Sequence, residues 1–128
     1  MIHSAQPILI VEDNKTDVRL IRDLLERYGY ETLQTEDGFE AMKLALECLP
    51  DLILMDIQLP EISGLDVTQR LKGDERSQNI PIIAVTAFAM GWHEKEALDS
   101  GCDAYISKPF SISDFLHTVG SFLPRLPH

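Results

Sequence analysis

The apolar stretch Ile53-Leu54-Met55-Asp56-Ile57 constrains the fold of this chain more than any other segment. A short, nearly unbroken apolar run predicts a β-strand buried on both faces, as in a parallel sheet. An aspartate lies near its carboxyl end, and buried carboxylates are rare unless they are paired or functional. In open α/β sheets, ligands bind in the crevice beyond the carboxyl ends of the strands. Asp56 is therefore predicted to lie at a functional site.

Patterns typical of strands and helices alternate about five times along the chain. Short apolar runs predict the strands, and apolar residues spaced three and four apart predict amphipathic helices between them. This alternation predicts an α/β fold, a single doubly wound (βα)5 domain around a central five-stranded parallel sheet. The predicted strands are residues 7–11, 30–35, 53–57, 80–85 and 104–107, and the helices include residues 15–28, 65–71, 91–100 and 112–122.

Length and composition fit one acidic globular domain, which we expect over residues 7–122 between an N-terminal extension (1–6) and a C-terminal tail (123–128). The chain has 128 residues and a formal charge of −10, which disfavours contact with DNA or anionic lipid. No apolar run approaches the roughly 18 residues of a membrane span. Without signal-peptide features, the expected location is cytoplasmic, with Cys48 and Cys102 as free thiols.

Polar residues follow the strands at the edge where parallel strands share their carboxyl ends. Three carboxylates converging there repel one another, so the arrangement needs a cation among them or a bound proton. Carboxylate oxygens with a loop carbonyl and waters suit Mg²⁺, which prefers oxygen ligands. The residues collected at this edge are Glu12, Asp13, Asp56, Thr86 and Lys108.

The amine and the hydroxyl at this edge indicate which chemistry a metal would serve. A carboxylate can act as a nucleophile towards phosphorus, and the phosphoryl group then presents oxygens that need positive charge and donors. Mg²⁺ would take one oxygen, Lys108 a second and Thr86 a third. Lys108 alone would be explained as an ion-pair partner, and Thr86 alone as a strand-end cap. Together, on separate strands, they favour phosphoryl chemistry.

Five short motifs carry a resemblance to a known family. Together they resemble the receiver domain of bacterial two-component response regulators, the CheY-like family, over about residues 7–122. Longer stretches at residues 30–35 and 101–109 are similar to its single-domain members in cell-division control. The motifs are Val11-Glu12-Asp13-Asn14, Leu54-Met55-Asp56-Ile57, Leu59-Pro60-Glu61-Ile62-Ser63-Gly64, Val85-Thr86-Ala87 and Lys108-Pro109-Phe110.

The resemblance implies a flavodoxin-like sheet with strand order 2-1-3-4-5 and a cis bond after Lys108. It also implies that Asp56 is the phosphoacceptor and that Lys108 contacts the phosphoryl group. Glu12 and Asp13 would be the acidic pair around Mg²⁺, with the backbone carbonyl of Gln58 as a further ligand. Glu12 stands where many members carry aspartate, a variation that keeps a carboxylate at the metal site.

A conformational switch is implied by the same resemblance, with Thr86 and Tyr105 as its coupled pair. Trp92 opens a weakly apolar helix and is expected, with Tyr105, on the surface that meets partners. Phe88, two residues beyond Thr86, would flank the path of an attacking water. Its bulk predicts slow self-dephosphorylation, unless the ring turns into the core or towards a partner.

Three other functions are alternatives to this one. A flavin site is disfavoured because the first strand leads into Glu12 and Asp13, which would repel a phosphate. A phosphatase of the haloacid dehalogenase type would need a second aspartate two positions after Asp56, where Gln58 stands. A metal-free interaction module with a degenerate site is the third, and the complete set of site residues argues against it.

We therefore expect a stand-alone phosphorylation switch that catalyses only its own phosphorylation and dephosphorylation. It would accept a phosphoryl group from a phosphohistidine on a sensor histidine kinase or a histidine phosphotransfer protein. Its output would be a change in which downstream target protein it binds, in cell-cycle or cell-division control. Neither DNA binding nor membrane insertion is expected.

Overall fold

The fold is a five-stranded parallel sheet with helices on both faces. The computed structural model describes residues 6–87 and 91–123, and for residues 91–93 the backbone alone. The strand order is β2-β1-β3-β4-β5 with all four pairs parallel, so the predicted doubly wound fold and strand order are confirmed. The strands are β1 (Ile8–Val11), β2 (Thr32–Thr35), β3 (Leu52–Met55), β4 (Ile82–Thr86) and β5 (Ala104–Ser107). The helices are α1 (Lys15–Arg27), α2 (Gly38–Cys48), α3 (Gly64–Lys72), α4 (Gly91–Asp99) and α5 (Ile112–Gly120).

Each face of the sheet has its own apolar cluster, because successive strand residues point to opposite sides. Ile10 and Leu54 belong to a cluster that includes Phe115 of α5 and the buried face of α1. Leu9 and Ile53 belong to the other, which is covered by α2, α3 and α4. Covered on both faces, β1, β3 and β4 are buried at every position, as their unbroken apolar runs predict.

The alternation of the strands decides which polar residues meet at the carboxyl edge. Glu12 and Asp56 lie two residues beyond Ile10 and Leu54, and Lys108 lies two beyond Ile106. All three of those apolar residues face α1 and α5. Glu12, Asp56 and Lys108 therefore continue the positions on the α1 side. Thr86 continues the opposite set, in line with Ala84, whose cluster includes Ala97 of α4.

Some details of the helices differ from the sequence prediction. Helix α5 ends at Gly120, two residues before the predicted end, which agrees with the poor helix propensity of glycine. Phe122 still packs against the α1/α5 cluster from beyond the helix.

Both cysteines are free thiols, with Cys102 buried and Cys48 half-buried. Among the residues that the structure describes, none of the helices has the length and apolar character needed to cross a bilayer.

Candidate functional site

Asp56 is held rigidly at the carboxyl end of β3. Its backbone N–H donates to the Val11 carbonyl (2.9 Å), so the pairing with β1 continues one residue past the end of β3. Its side chain is buried, and Oδ1 accepts a hydrogen bond from the backbone N–H of Gln58 (3.0 Å). The acceptor carboxylate predicted from the sequence is thus a fixed, nearly water-excluded group on the edge of the sheet.

Three carboxylates converge at this edge, as the sequence predicts. Glu12, Asp13 and Asp56 each offer one oxygen, and these oxygens lie within 4.8 Å of one another. Glu12 and Asp56 are buried, whereas Asp13 is exposed. The backbone of Glu12 is fixed by donation to the Thr35 carbonyl (3.0 Å), and its Oε2 accepts from the N–H of Asn14 (3.0 Å).

Lys108 supplies the positive charge that this cluster requires. Its Nζ lies 2.6 Å from Glu12 Oε1, 3.0 Å from Asp17 Oδ2 and 3.9 Å from Asp56 Oδ2. The backbone N–H of Lys108 donates to the Thr86 carbonyl (2.8 Å), which extends the pairing of β4 with β5 to the same edge. The bond from Lys108 to Pro109 is cis, as the family resemblance implies.

The proton affinities of the acceptor and the amine reflect this crowding. Burial raises the pKa of Asp56 to about 7, assisted by repulsion from Glu12 and a hydrogen bond with it. Desolvation by itself would lower the pKa of Lys108. The hydrogen bonds to Glu12 and Asp17 outweigh it, and the pKa of the ammonium is raised. Burial and the neighbouring Glu12 thus disfavour the ionised form of Asp56.

A divalent cation fits the donors of this cluster. Mg²⁺ prefers carboxylate oxygens and retains part of its hydration shell, and the exposed Asp13 leaves one side open to water. A cation among the three carboxylates would also relieve the repulsion that raises the pKa of Asp56. The backbone N–H of Gln58 points to Asp56. The role of its carbonyl as a further ligand stays a prediction.

Thr86 and Tyr105 lie on neighbouring strands on the side of the sheet that α4 covers. Thr86 is fully buried. Tyr105 pairs in register with Ala84, two residues before Thr86, and packs against the cluster on that side. Burial, and then the charge of Glu94 on α4, raises the pKa of the Tyr105 phenol. The predicted switch residues thus lie on adjacent strands, and the charge of Glu94 on α4 acts on one of them, Tyr105.

Two predicted residues fall outside what the structure describes. Phe88 lies in the segment 88–90, and the side chain of Trp92 lies among residues 91–93. Their proposed roles, in shielding the phosphoryl group and in contacting partners, stay predictions.

Two residues at the site were given no role by the sequence reasoning. Asp17 contacts Lys108, and its place in the first turn of α1, a helix that starts close to Glu12 and Asp13 in the sequence, was the available signal. Gly64 packs its backbone under the acceptor: a β-carbon at this position would lie 2.9 Å from Ile57 Cα and would overlap the Asp56 carbonyl oxygen. The glycine that ends the loop motif after Asp56 was the signal in that case.

Comparison with known proteins identifies the family to which the chain is similar. Residues 8–120 match the response regulator receiver domain family. The chain is 57% identical over 116 residues to the polar-differentiation response regulator DivK of Brucella ovis, covering 91% of this chain and 94% of DivK. It is also similar to the receiver domain of the sensor histidine kinase PA1611 from Pseudomonas aeruginosa (31% identity, TM-score 0.85, 94% of this chain and 99% of that one). That crystal structure has a magnesium ion coordinated in the active-site cleft.

A second similar structure is that of a phosphorylated response regulator. The phosphorylated cyanobacterial phytochrome response regulator RcpA is 30% identical with a TM-score of 0.80, covering 98% of this chain and all of that one. The similarities to all of these proteins extend over nearly the whole sheet and its helices.

Proposed function

The chain belongs to the family of response regulator receiver domains, and we propose that it is a phosphoacceptor switch whose acceptor is Asp56. The observation that carries this proposal is the position of Asp56. It is a buried carboxylate at the carboxyl end of β3, with two further carboxylates and the Lys108 ammonium around it. That combination suits transfer of a phosphoryl group to a carboxylate better than it suits a static ion pair.

The proposed reaction is one nucleophilic substitution at phosphorus. An oxygen of the Asp56 carboxylate attacks the phosphorus of a phosphohistidine on a kinase or phosphotransfer protein. The new bond is P–O, the bond that breaks is N–P, and the imidazole leaves with the electron pair. Lys108 contacts a phosphoryl oxygen, and Thr86 donates to another. Water later attacks the same phosphorus and returns Asp56 to a carboxylate with release of inorganic phosphate.

Glu12, Asp13 and Asp56 would hold Mg²⁺, together with the carbonyl of Gln58. Bound there, the cation supplies positive charge for the phosphoryl oxygens. The protein contributes the fixed positions: backbone hydrogen bonds hold Glu12 and Asp56, and Lys108 is anchored next to them.

The acceptor is tested by phosphorylation with acetyl phosphate and Mg²⁺. We expect acid-labile phosphate on the wild type and none on Asp56→Asn. Asp51→Asn is the matched control, because Asp51 lies at the opposite end of β3, where it accepts from the Gln6 N–H (3.1 Å). Phosphate at full stoichiometry on Asp56→Asn would refute the assignment. Turnover of a generic phosphate ester would favour the phosphatase instead.

We propose that the output runs through Thr86 and Tyr105 to α4. A phosphoryl oxygen on Asp56 offers a new acceptor to the Thr86 hydroxyl, and inward movement of Thr86 opens space for the neighbouring Tyr105 ring. Ala97 is the one buried side chain among residues 94–99, so α4 has little apolar anchoring in the stretch whose side chains the structure describes. A two-state shift there needs only a few kcal/mol.

This output is tested with the phosphoryl mimic beryllofluoride and the single tryptophan, Trp92, as the probe. We expect the mimic to change its fluorescence in the wild type, much less in Thr86→Ala and not at all in Asp56→Asn. Because the similar DivK proteins are named for polar differentiation, we place the output in cell-cycle control. A mimic-saturated protein with unchanged fluorescence and unchanged partner binding would exclude this relay.

A further inference from the structure

The Lys108 ammonium is shared among three carboxylates, and one of them is outside the candidate metal cluster. The cluster consists of Glu12, Asp13 and Asp56. Asp17 is not part of it, yet its Oδ2 is closer to Lys108 Nζ (3.0 Å) than the oxygen of Asp56 is (3.9 Å). The side chains of Lys108 and Asp17 are 13% and 27% exposed, so water screens the contact only in part.

Asp17 is fixed independently of the lysine. It is the third residue of α1, and its backbone N–H donates to the side chain of the N-cap residue Asn14 (3.0 Å). A carboxylate in the first turn of a helix is stabilised by the helix dipole. Asp17 therefore presents its oxygen to the carboxyl edge of the sheet from a second element, which does not belong to the strands.

Glu12, in contrast, has two cationic partners in the proposed function, the Lys108 ammonium and the metal ion. Its Oε1 lies 2.6 Å from Lys108 Nζ, and its oxygens are also candidate ligands for a divalent cation. If Glu12 and Asp56 were the only anions in reach, the ammonium and the metal would compete for the same oxygens. An ammonium has three donor hydrogens, so Lys108 can keep one on Asp17 and turn another towards Asp56.

We propose that Asp17 is a positioning residue that anchors Lys108 beside Asp56 and thereby frees Glu12 for the metal. This inference rests on the proposed function, in which Lys108 contacts the phosphoryl group and Glu12 is a metal ligand. Asp17 itself touches neither the metal nor the phosphoryl group. The effect of Asp17 on the metal site requires Lys108, whereas a carboxylate that acted only by long-range electrostatics would have the same effect with or without the lysine.

A double-mutant cycle measured as Mg²⁺ affinity tests the proposal. Isothermal titration calorimetry on the unphosphorylated protein compares wild type, Asp17→Asn, Lys108→Met and the double variant. Asp17→Asn keeps the cap, which its backbone makes, and removes only the charge. We expect it to weaken Mg²⁺ binding by about fivefold in the wild type, and by less than about twofold in the Lys108→Met background.

Glu36→Gln is the matched control for charge alone, since Glu36 is exposed and lines the same cleft as Glu12 without contacting Lys108 in the structure. Its effect should be small and equal in both backgrounds. Asp17→Glu, which restores the charge on a longer side chain, should recover part of the lost affinity. If Lys108→Met does not fold, Lys108→Gln takes its place in the cycle.

If Asp17→Asn weakened Mg²⁺ binding equally with and without Lys108, the proposal would be overturned, because Asp17 would then act on the metal by long-range electrostatics alone. Failure of the proposed function looks different: the wild type itself would bind Mg²⁺ but take up no phosphate from acetyl phosphate. A second readout is the affinity for beryllofluoride at saturating Mg²⁺. Asp17→Asn should lower it in the wild type and leave it unchanged in Lys108→Met.

Discussion

At the scale of the residue, the main feature of the site is the electrostatic cost of its buried carboxylates. Glu12 and Asp56 are buried carboxylates placed side by side, and isolated buried charges are costly. Lys108 offsets part of this cost through its short contact with Glu12, but it is 3.9 Å from Asp56. Lys108 thus compensates Asp56 less than it compensates Glu12.

The raised pKa of Asp56 predicts a pH-dependent stability. A carboxyl group whose pKa is higher in the folded state favours folding while protonated, and this contribution is lost as pH rises from its ordinary value of 3.8 through about 7. Without metal, the stability of Asp56→Asn relative to wild type should therefore rise across that window, by at most about 4 kcal/mol for a shift of this size. Urea unfolding in chelator measures this difference. A difference that does not change with pH would contradict the prediction.

Sequence reasoning predicted individual site residues where strand periodicity applied. Asp56 and Lys108 follow β3 and β5, which run parallel, so their place on one edge follows from the parallel sheet. Asp17 was missed because it lies on a helix. Its contact depends on how α1 packs over the sheet, and helical spacing marked only the buried face of α1, including Val18 and Ile21. Contacts between elements depend on packing, which local patterns do not encode.

At the scale of the element, the loop from β3 to α3 holds the acceptor in place. Ser63 caps α3 by accepting from the Leu65 N–H (3.1 Å), and the Gly64 N–H donates to the Ile57 carbonyl (2.9 Å). The first turn of α3 therefore lies directly against the backbone of Asp56. Only a residue without a side chain fits there, because the atoms that a β-carbon would meet are backbone atoms that cannot rotate away.

Gly64→Ala should damage both the fold and the acceptor. The added methyl must push the backbone of Asp56 and Ile57 away, and overpacking of this kind costs about 1–3 kcal/mol. We expect unfolding at lower urea and slower phosphorylation by acetyl phosphate than in wild type. Gly73→Ala is the control: Gly73 ends the same helix, and its nearest neighbour, the Gln69 carbonyl oxygen, is 3.2 Å from the added carbon. Equal effects of the two substitutions would contradict the close-approach argument.

At the scale of the whole molecule, three carboxylates meet at one sheet edge of a chain that is already negative. The chain carries −10 overall, so the folded state is subject to self-repulsion that any cation relieves to some extent. A specific site adds to this general effect, because a ligand bound only by the folded state raises its stability by mass action. Glu12, Asp13 and Asp56 come from two neighbouring strands, so a cation held by them would tie β1 to β3.

Mg²⁺ should therefore raise the melting temperature of the whole domain, and Asp13 should carry much of the response. At 100-fold excess over the dissociation constant, binding is worth about 2.7 kcal/mol, which corresponds to roughly 8–10 °C for a chain of this size. Asp13 is the exposed member of the cluster, so Asp13→Asn should leave the metal-free stability nearly unchanged while reducing the Mg²⁺ shift by half or more.

Asp23→Asn is the control variant: it removes the same charge from an exposed position on α1 and should keep the full shift. Sodium chloride at matched ionic strength measures the general screening that must be subtracted. An Mg²⁺ shift no larger than that of sodium would argue against the metal site and the tie between β1 and β3, and a shift that Asp13→Asn leaves intact would remove Asp13 from that site.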